Sequence, residues 1–270
     1  MLTTNIDEVI KTLDLMIAEA ASKSDSPGET LRDKRSLTPR AYRIGLFAAL
    51  YRQVTLKIRI GMESNHFDDC DRMNRFAAKF ANRYFIALDT YRSGGKPTKS
   101  WKVAFEAASQ PDFIILQHLL LGINAHINLD LGIVAAEICP GEELQSFAGD
   151  FEKINNTIAD LLNPNQEVVS QFSPLLEILD KVGGITDEAI VSFSIKKARQ
   201  QAWNHAQILA LQTTEQQQST IISLDQKVAF LGRIIASPSR IIDKAIEIVK
   251  SSESNDIPVI IDALNRIVYF

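Results

Sequence analysis

The sequence predicts an all-α fold, a single-domain helical bundle of about nine to ten helices around one buried central helix. Three observations carry that reading. Apolar residues recur at helical spacing along most of the chain, beginning with Val9, Leu13, Met16 and Ile17. No pair of alternating segments is joined by a tight hairpin turn. A long apolar run over residues 113–138 ends at Pro140-Gly141 and carries polar side chains that need partners inside a protein.

At 270 residues with 46% apolar content, the chain can fill a sizeable core. Its 29 basic and 33 acidic residues leave a formal charge of −4, with no long-range attraction to nucleic acid. Cys70 and Cys139 are too few for a disulfide framework or a four-cysteine zinc site, which fits a reducing cytoplasm and two small core residues. The first residues lack the basic start and apolar run of a signal peptide. The 113–138 run is long enough to cross a bilayer, but it holds Gln117, His118, Asn124, His126, Asn128, Asp130 and Glu137. One central aspartate alone costs about 2.5–3.5 kcal/mol in lipid, so the chain is expected not to be transmembrane.

Three segments divide the chain. Residues 1–21 read as an N-terminal helix, the polar stretch 22–39 with Pro27, Gly28 and Pro39 as a linker, and 40–270 as the main helical domain. Within the main domain, Leu46, Ala49, Leu50, Val54 and Ile58 mark the apolar face of a helix from Ala41 to about Arg59. A second runs from Asp68 to Tyr91, closed by Ser93-Gly94-Gly95 and Pro97. Its Arg75, Phe76, Lys79, Phe80, Arg83, Tyr84 and Tyr91 read as a core face edged by solvated charges. A short helix from Trp101 to Ala108 precedes the central one. After Pro140-Gly141, residues 142–162 read as a surface helix closed by Asn163-Pro164-Asn165, and 166–181 as another ended by Gly183-Gly184. Thr186-Asp187-Glu188 signals a helix running through Trp203 to about Gln212. Residues 215–220 read as a polar joint before helices at about 221–235 and 237–251, and Asp256-Ile-Pro starts a last one.

The central helix carries the chemistry. At about 100° per residue, His118, Gly122, His126 and Asp130 form one slowly drifting stripe, and Gln117, Asn124 and Asn128 a second. His118 and His126 stand eight residues apart, about 12 Å along the axis, too far for two imidazoles to share one ion comfortably. His126 and Asp130 are neighbours at i, i+4. Either they ligate an ion together, or the carboxylate braces the imidazole as a general base. A divalent metal (Zn, Fe or Mn) would draw on His126, Asp130, His205 and the Glu63-x-x-His66 segment, whose spacing resembles that of carboxylate-bridged dimetal bundles. A structural network of the same buried groups is the bland alternative. No Gly-x-Ser-x-Gly elbow, phosphate-cradling loop, His-Glu-x-x-His or Cys-x-x-Cys occurs.

The segment from Gln117-His118 through Gly122-Ile-Asn124-Ala-His126-Ile-Asn128-Leu-Asp130-Leu resembles the signature of an uncharacterised bacterial family of helical proteins, a domain of unknown function. The resemblance extends to Tyr51-Arg-Gln-Val-Thr55 and Ala198-Arg199-Gln-Gln-Ala-Trp203, over roughly residues 35 to 245. It implies a helical domain with a shared polar centre and brings no activity with it.

The resulting expectation is an enzyme of small-molecule metabolism, either an acid–base catalyst or a metal-dependent hydrolase or oxygenase. His126, Asp130, His118 and Asn124 are its candidate catalytic residues, and Asn128, Arg199, Trp203 and Gln117 its substrate contacts. The alternative is a non-catalytic binding or scaffold protein in which the same groups lock the helices and a pocket, if present, takes an apolar ligand. Ile221, Leu224, Val228 and Leu231 are expected to be buried rather than to offer a membrane or partner surface, and a homo-oligomer is compatible with either reading.

Overall fold

The computed structural model describes residues 2–22, 41–178, 195–238 and 240–267. Among these the chain is all-α, without a strand. In chain order the helices are α1 (Ile6–Ser22), α2 (Ile44–Glu63), α3 (Cys70–Arg92), α4 (Lys99–Ala107), α5 (Ile115–Ile123), α6 (Gly132–Ile138), α7 (Ala148–Asp160), α8 (Leu162–Phe172), α9 (Ile195–Ala210), α10 (Thr214–Ala236), α11 (Arg240–Ser252) and α12 (Ile257–Asn265). Short 3₁₀ turns at Ala41–Arg43 and Gly141–Phe147 lead into α2 and α7.

Helices α5 and α6 are the two ends of one continuous rod, Ile115–Ile138, joined through a π-helical stretch, Asn124–Leu131. It is the one stretch among the described residues long and apolar enough to cross a membrane, and 89% of its most apolar window is buried by other helices. Helices α2, α3, α4, α9 and α10 enclose it. Two glycines let neighbours approach closely. A Cβ on Gly122 would come 2.5 Å from the Phe47 ring of α2, and one on Gly132 would come 2.5 Å from the Ala202 carbonyl oxygen of α9.

The rod begins on Ile114, whose side chain cannot cap it, so its entry is satisfied from within the first turn and from a neighbouring helix. Gln117 reaches back to accept from the Ile114 N–H at 3.2 Å. Glu253, buried at the end of α11, accepts the Ile115 N–H at 3.0 Å and the Ser173 hydroxyl at 2.6 Å, and pairs with Lys250 at 3.1 Å. In the same manner Asp225 of α10 accepts the N–H groups of Lys99 and Ser100, capping α4 from a neighbouring helix. At the opposite end of the molecule Asp150 accepts the Asp68 N–H at 2.7 Å and pairs with Arg72 at 2.7 Å, fixing the loop before α3 to α7.

Most predicted boundaries hold within a few residues, and two change. Pro164 does not close a helix but sits in the first turn of α8, where its missing N–H costs nothing. The expected polar joint at 215–220 belongs to α10, because Thr213 and Gln216 form a capping box that starts the helix at Thr214. Asp256 does start the last helix, accepting from the Val259 N–H. Leu224 and Val228 are buried as expected, with Ile221 and Leu231 half-buried against the core. The N-terminal helix places Val9, Leu13, Ile17 and Ala20 in the same apolar cluster as α2 and α12. The expected linker after it, apart from Ser22, and the Thr186 start signal lie outside the described residues.

Candidate functional site

At the centre of the rod, His126 and Asp130 meet as the i, i+4 spacing predicts. Imidazole Nδ1 lies 3.3 Å from carboxylate Oδ2, and both side chains are buried. Two further groups hold the carboxylate. Arg83 of α3 donates from Nε to Oδ1 at 2.7 Å, and the Trp101 indole of α4 donates to Oδ2 at 2.8 Å. Burial alone would raise the Asp130 carboxyl, but the Arg83 guanidinium and His126 outweigh it and hold the group below its ordinary value. Burial pushes the His126 imidazolium down, against the pull of Asp130. The imidazole is therefore neutral, and the nitrogen facing a carboxylate must carry the proton. Its other nitrogen, Nε2, is buried without a hydrogen-bond partner and is left as a bare acceptor.

The ring is held by aromatic neighbours. Phe80 stacks on it with centroids 3.6 Å apart and planes within 8°, Tyr51 meets it edge-on at 4.6 Å, and Phe47 does so at 5.8 Å. Trp101 and Tyr84 complete the cage at 5.8 Å and 6.3 Å. The stacked and edge-on rings fix the plane of the imidazole, and the Nδ1 contact with Asp130 fixes its orientation in that plane, so both together aim Nε2.

His126 also lines a cavity of about 470 Å³ enclosed by α2, α3, the rod, α7, α8 and the start of α9. The walls are hydrocarbon, among them Leu50, Val54, Leu119, Ile123 and Leu161. Asn163, Asn165 and Gln166 supply polarity at one end, where Asn163 and Gln166 are exposed and mark the mouth. Leu50 and Val54, expected in the core face of α2, are only half-buried because they face this space.

The π stretch bears on this geometry. Its hydrogen bonds run i→i+5, so a stride of four falls short of one turn where in an α-helix it leads by about 40°. The stripe from His118 to Asp130 is thereby straightened instead of drifting steadily around the rod. Insertions of this kind concentrate at functional sites.

The other predicted residues divide by environment. Gln117 donates to the Ile235 carbonyl at 3.0 Å, Asn124 donates to the Val228 carbonyl at 3.0 Å, and Asn128 donates to Asn124 Oδ1 at 2.9 Å. This second stripe ties the rod to α10. His118 is buried two turns before His126, in a small recess with Arg43, Phe105 and Gly122 that shares Phe47, Tyr84 and Trp101 with the aromatic cage. Burial, with help from Arg43 and Lys250, pushes its pKa down to about 3, and its Nε2 also has no partner. Arg199 is buried on α9 with Nε and Nη1 unpaired, and Trp203 turns to the Phe151 ring at 4.8 Å.

Of the candidate metal ligands His126 and Asp130 meet, but Glu63, His66 and His205 do not join them. Glu63 is the last residue of α2 and pairs with Arg59, while His66 lies exposed beyond a left-handed Asn65 at φ 52°. The Glu-x-x-His spacing thus straddles a helix end and never stacks on one face. His205 packs beside Gly132 on α9. Among the described residues no group of three or more His, Cys, Asp or Glu side chains is placed to hold a metal ion.

Arg83 and Trp101 are the partners that the spacing argument missed. Arg83 lies in a run expected to be a solvated edge, but its side chain is three-quarters buried against Asp130. A buried aspartate does demand a cation and further donors, which was the only available signal. No curated protein and no solved structure matches the chain. The model of a family of unknown function, DUF5995, matches residues 6–238, a span that includes Arg83, Trp101, His126, Asp130 and the whole cavity lining. The chain belongs to that family.

Proposed function

We propose that the chain is an enzyme of small-molecule metabolism that takes a largely apolar substrate into the cavity beside His126 and uses Nε2 of that residue as a general base. One observation carries the reading: a neutral imidazole, braced at Nδ1 by a carboxylate, whose other nitrogen is unpartnered and whose ring lines a cavity of about 470 Å³. Pockets of about 300–1,000 Å³ with apolar walls and few convergent polar groups are typical small-molecule sites. In the proposed step a substrate X–H gives its proton to Nε2. Asp130 stabilises the imidazolium that forms, and Arg83 keeps Asp130 ionised so that it does not take up the proton. The apolar cage keeps water from levelling the base. This step uses no metal, in line with the scattered positions of Glu63, His66 and His205.

A non-catalytic reading draws support from the Gln117, Asn124 and Asn128 bonds to α10, which are structural in kind. One comparison separates the two. Wild-type and His126→Gln protein are screened for turnover of neutral apolar alcohols and of carbonyl compounds with an acidic α-hydrogen, with circular dichroism as the folding control. The expected result is an activity that falls by roughly 10²–10⁴ in His126→Gln, the usual share of a positioned base. Turnover that survives the substitution unchanged, or a wild-type protein that binds apolar compounds and turns over none, overturns the enzymatic reading.

A further inference from the structure

The mouth of the cavity carries two neutral carboxamides that face solvent. Asn163 and Gln166 stand three residues apart in the first two turns of α8, both exposed and both on the cavity lining. Among the described residues neither amide has a hydrogen-bond partner. Behind them the walls are hydrocarbon, and no Lys, Arg, Asp or Glu is among the residues that line the space. A second void of about 40 Å³, walled almost wholly by hydrocarbon, adjoins it across Tyr51, Val54, Phe80, Ile127 and Ile158 and reaches Ile6 of α1. Among the described residues none of α8 lines that void, so apolar space runs inward from the mouth toward α1 and α3. An apolar cavity of about 150 Å³ takes one benzene, so the main cavity, at about 470 Å³, has room for roughly sixteen to eighteen carbons. Charge beside the mouth has one sign: between residues 154 and 176 the ionisable side chains are Asp160 and Glu167, both exposed.

We infer that the ligand is a single-chain amphiphile with an uncharged head, a monoacylglycerol or a fatty alcohol, whose chain lies in the cavity and whose hydroxyls meet the Asn163 and Gln166 carboxamides at the mouth. The inference rests on the proposed role of the cavity and gives its substrate class. The head serves recognition, and the group on which the base acts belongs to the chain inside. A carboxamide offers donors and an acceptor without charge, which suits a hydroxyl or an ester carbonyl equally. A charged head gives up more hydration at an apolar mouth than two neutral amides return. A carboxylate head is disfavoured further, because Asp160 and Glu167 repel it and no cation lines the cavity to offset them. Exposed charges act weakly, so the discrimination is severalfold rather than absolute.

Displacement of the neutral fluorophore N-phenyl-1-naphthylamine from the full chain tests this, with 1-dodecanoylglycerol, dodecanoate and dodecylammonium as competitors below their micelle concentrations. The glycerol ester is expected to bind about three- to tenfold more tightly than either ion, the gain from about one neutral hydrogen bond. Asn163→Lys combined with Gln166→Lys, both at exposed positions, should turn the order round in favour of dodecanoate. Leu50→Trp, which fills part of the cavity from α2, should weaken all three, with the melting temperature of each variant as the folding control. Either ion binding as tightly as the ester, a fluorophore that none of the three displaces, or an order that the double lysine variant leaves unchanged defeats the inference while the cavity reading stands. If the fluorophore does not bind, or if folded Leu50→Trp binds all three as wild type does, the cavity reading falls and the inference with it.

Discussion

At the scale of single residues, the molecule buries ionisable groups in two different ways. Asp130 stays charged because Arg83 is beside it, whereas His118 and His126 are kept neutral by burial. Removing the cation should therefore be costly. Arg83→Leu leaves a carboxylate without its counter-ion in an aromatic cage, and an expected loss of about 3 kcal/mol in urea unfolding follows, toward the low end for a broken buried pair because Arg83 is itself a quarter exposed. Adding Asp130→Asn to Arg83→Leu should return part of that loss, while equal losses in both would show that the charge was not the cause. His118 makes a prediction in pH. Its folded pKa, about 3, lies below the unfolded value near 6.5, so the unfolded chain binds the extra proton between them. The stability from neutral burial is full above 6.5 and drains away as pH falls toward 3, at about 1.4 kcal/mol per unit. Urea midpoints of His118→Gln should follow a flatter acid limb than wild type over that window, and parallel limbs would contradict the assignment.

Among elements, the rod from Ile115 to Ile138 sets both what the fold tolerates and what the sequence reveals. Its two close approaches predict different behaviour. Gly122→Ala presses on the Phe47 ring and is expected to cost about 1–3 kcal/mol, relieved in the double variant with Phe47→Leu. Gly132→Ala presses on the Ala202 backbone carbonyl, which no side-chain change can retract, so the loss in thermal unfolding should stand in any background. Apolar periodicity makes the rod, the amphipathic faces of α2 and α3 and most helix ends legible before any coordinates. It also brings His126 and Asp130 together, since i, i+4 contact survives in both α and π geometry. The π stretch itself is hidden, because counting at 3.6 residues per turn assumes the register that the rod abandons. Thr213 is a different case: its capping box with Gln216 stands in the sequence but sits inside a polar stretch that reads equally well as a joint.

For the whole molecule, what the sequence conceals is non-local. Arg83 and Trp101 reach Asp130 across 47 and 29 residues, and no spacing rule connects them. A cavity is more remote still, being the space several helices leave between them, so Leu50 and Val54 look like ordinary core positions. The long reach of the caps carries a consequence for synthesis. Glu253 satisfies the rod's first N–H across 138 residues of sequence. On a ribosome the rod is finished well before its cap emerges, and during that interval its entry end has bare N–H groups in an apolar setting. The nascent chain should therefore hold the rod loosely until the final helices are released, and a protein truncated before Glu253 would arrive with its central segment frayed at the end that leads into the histidine site.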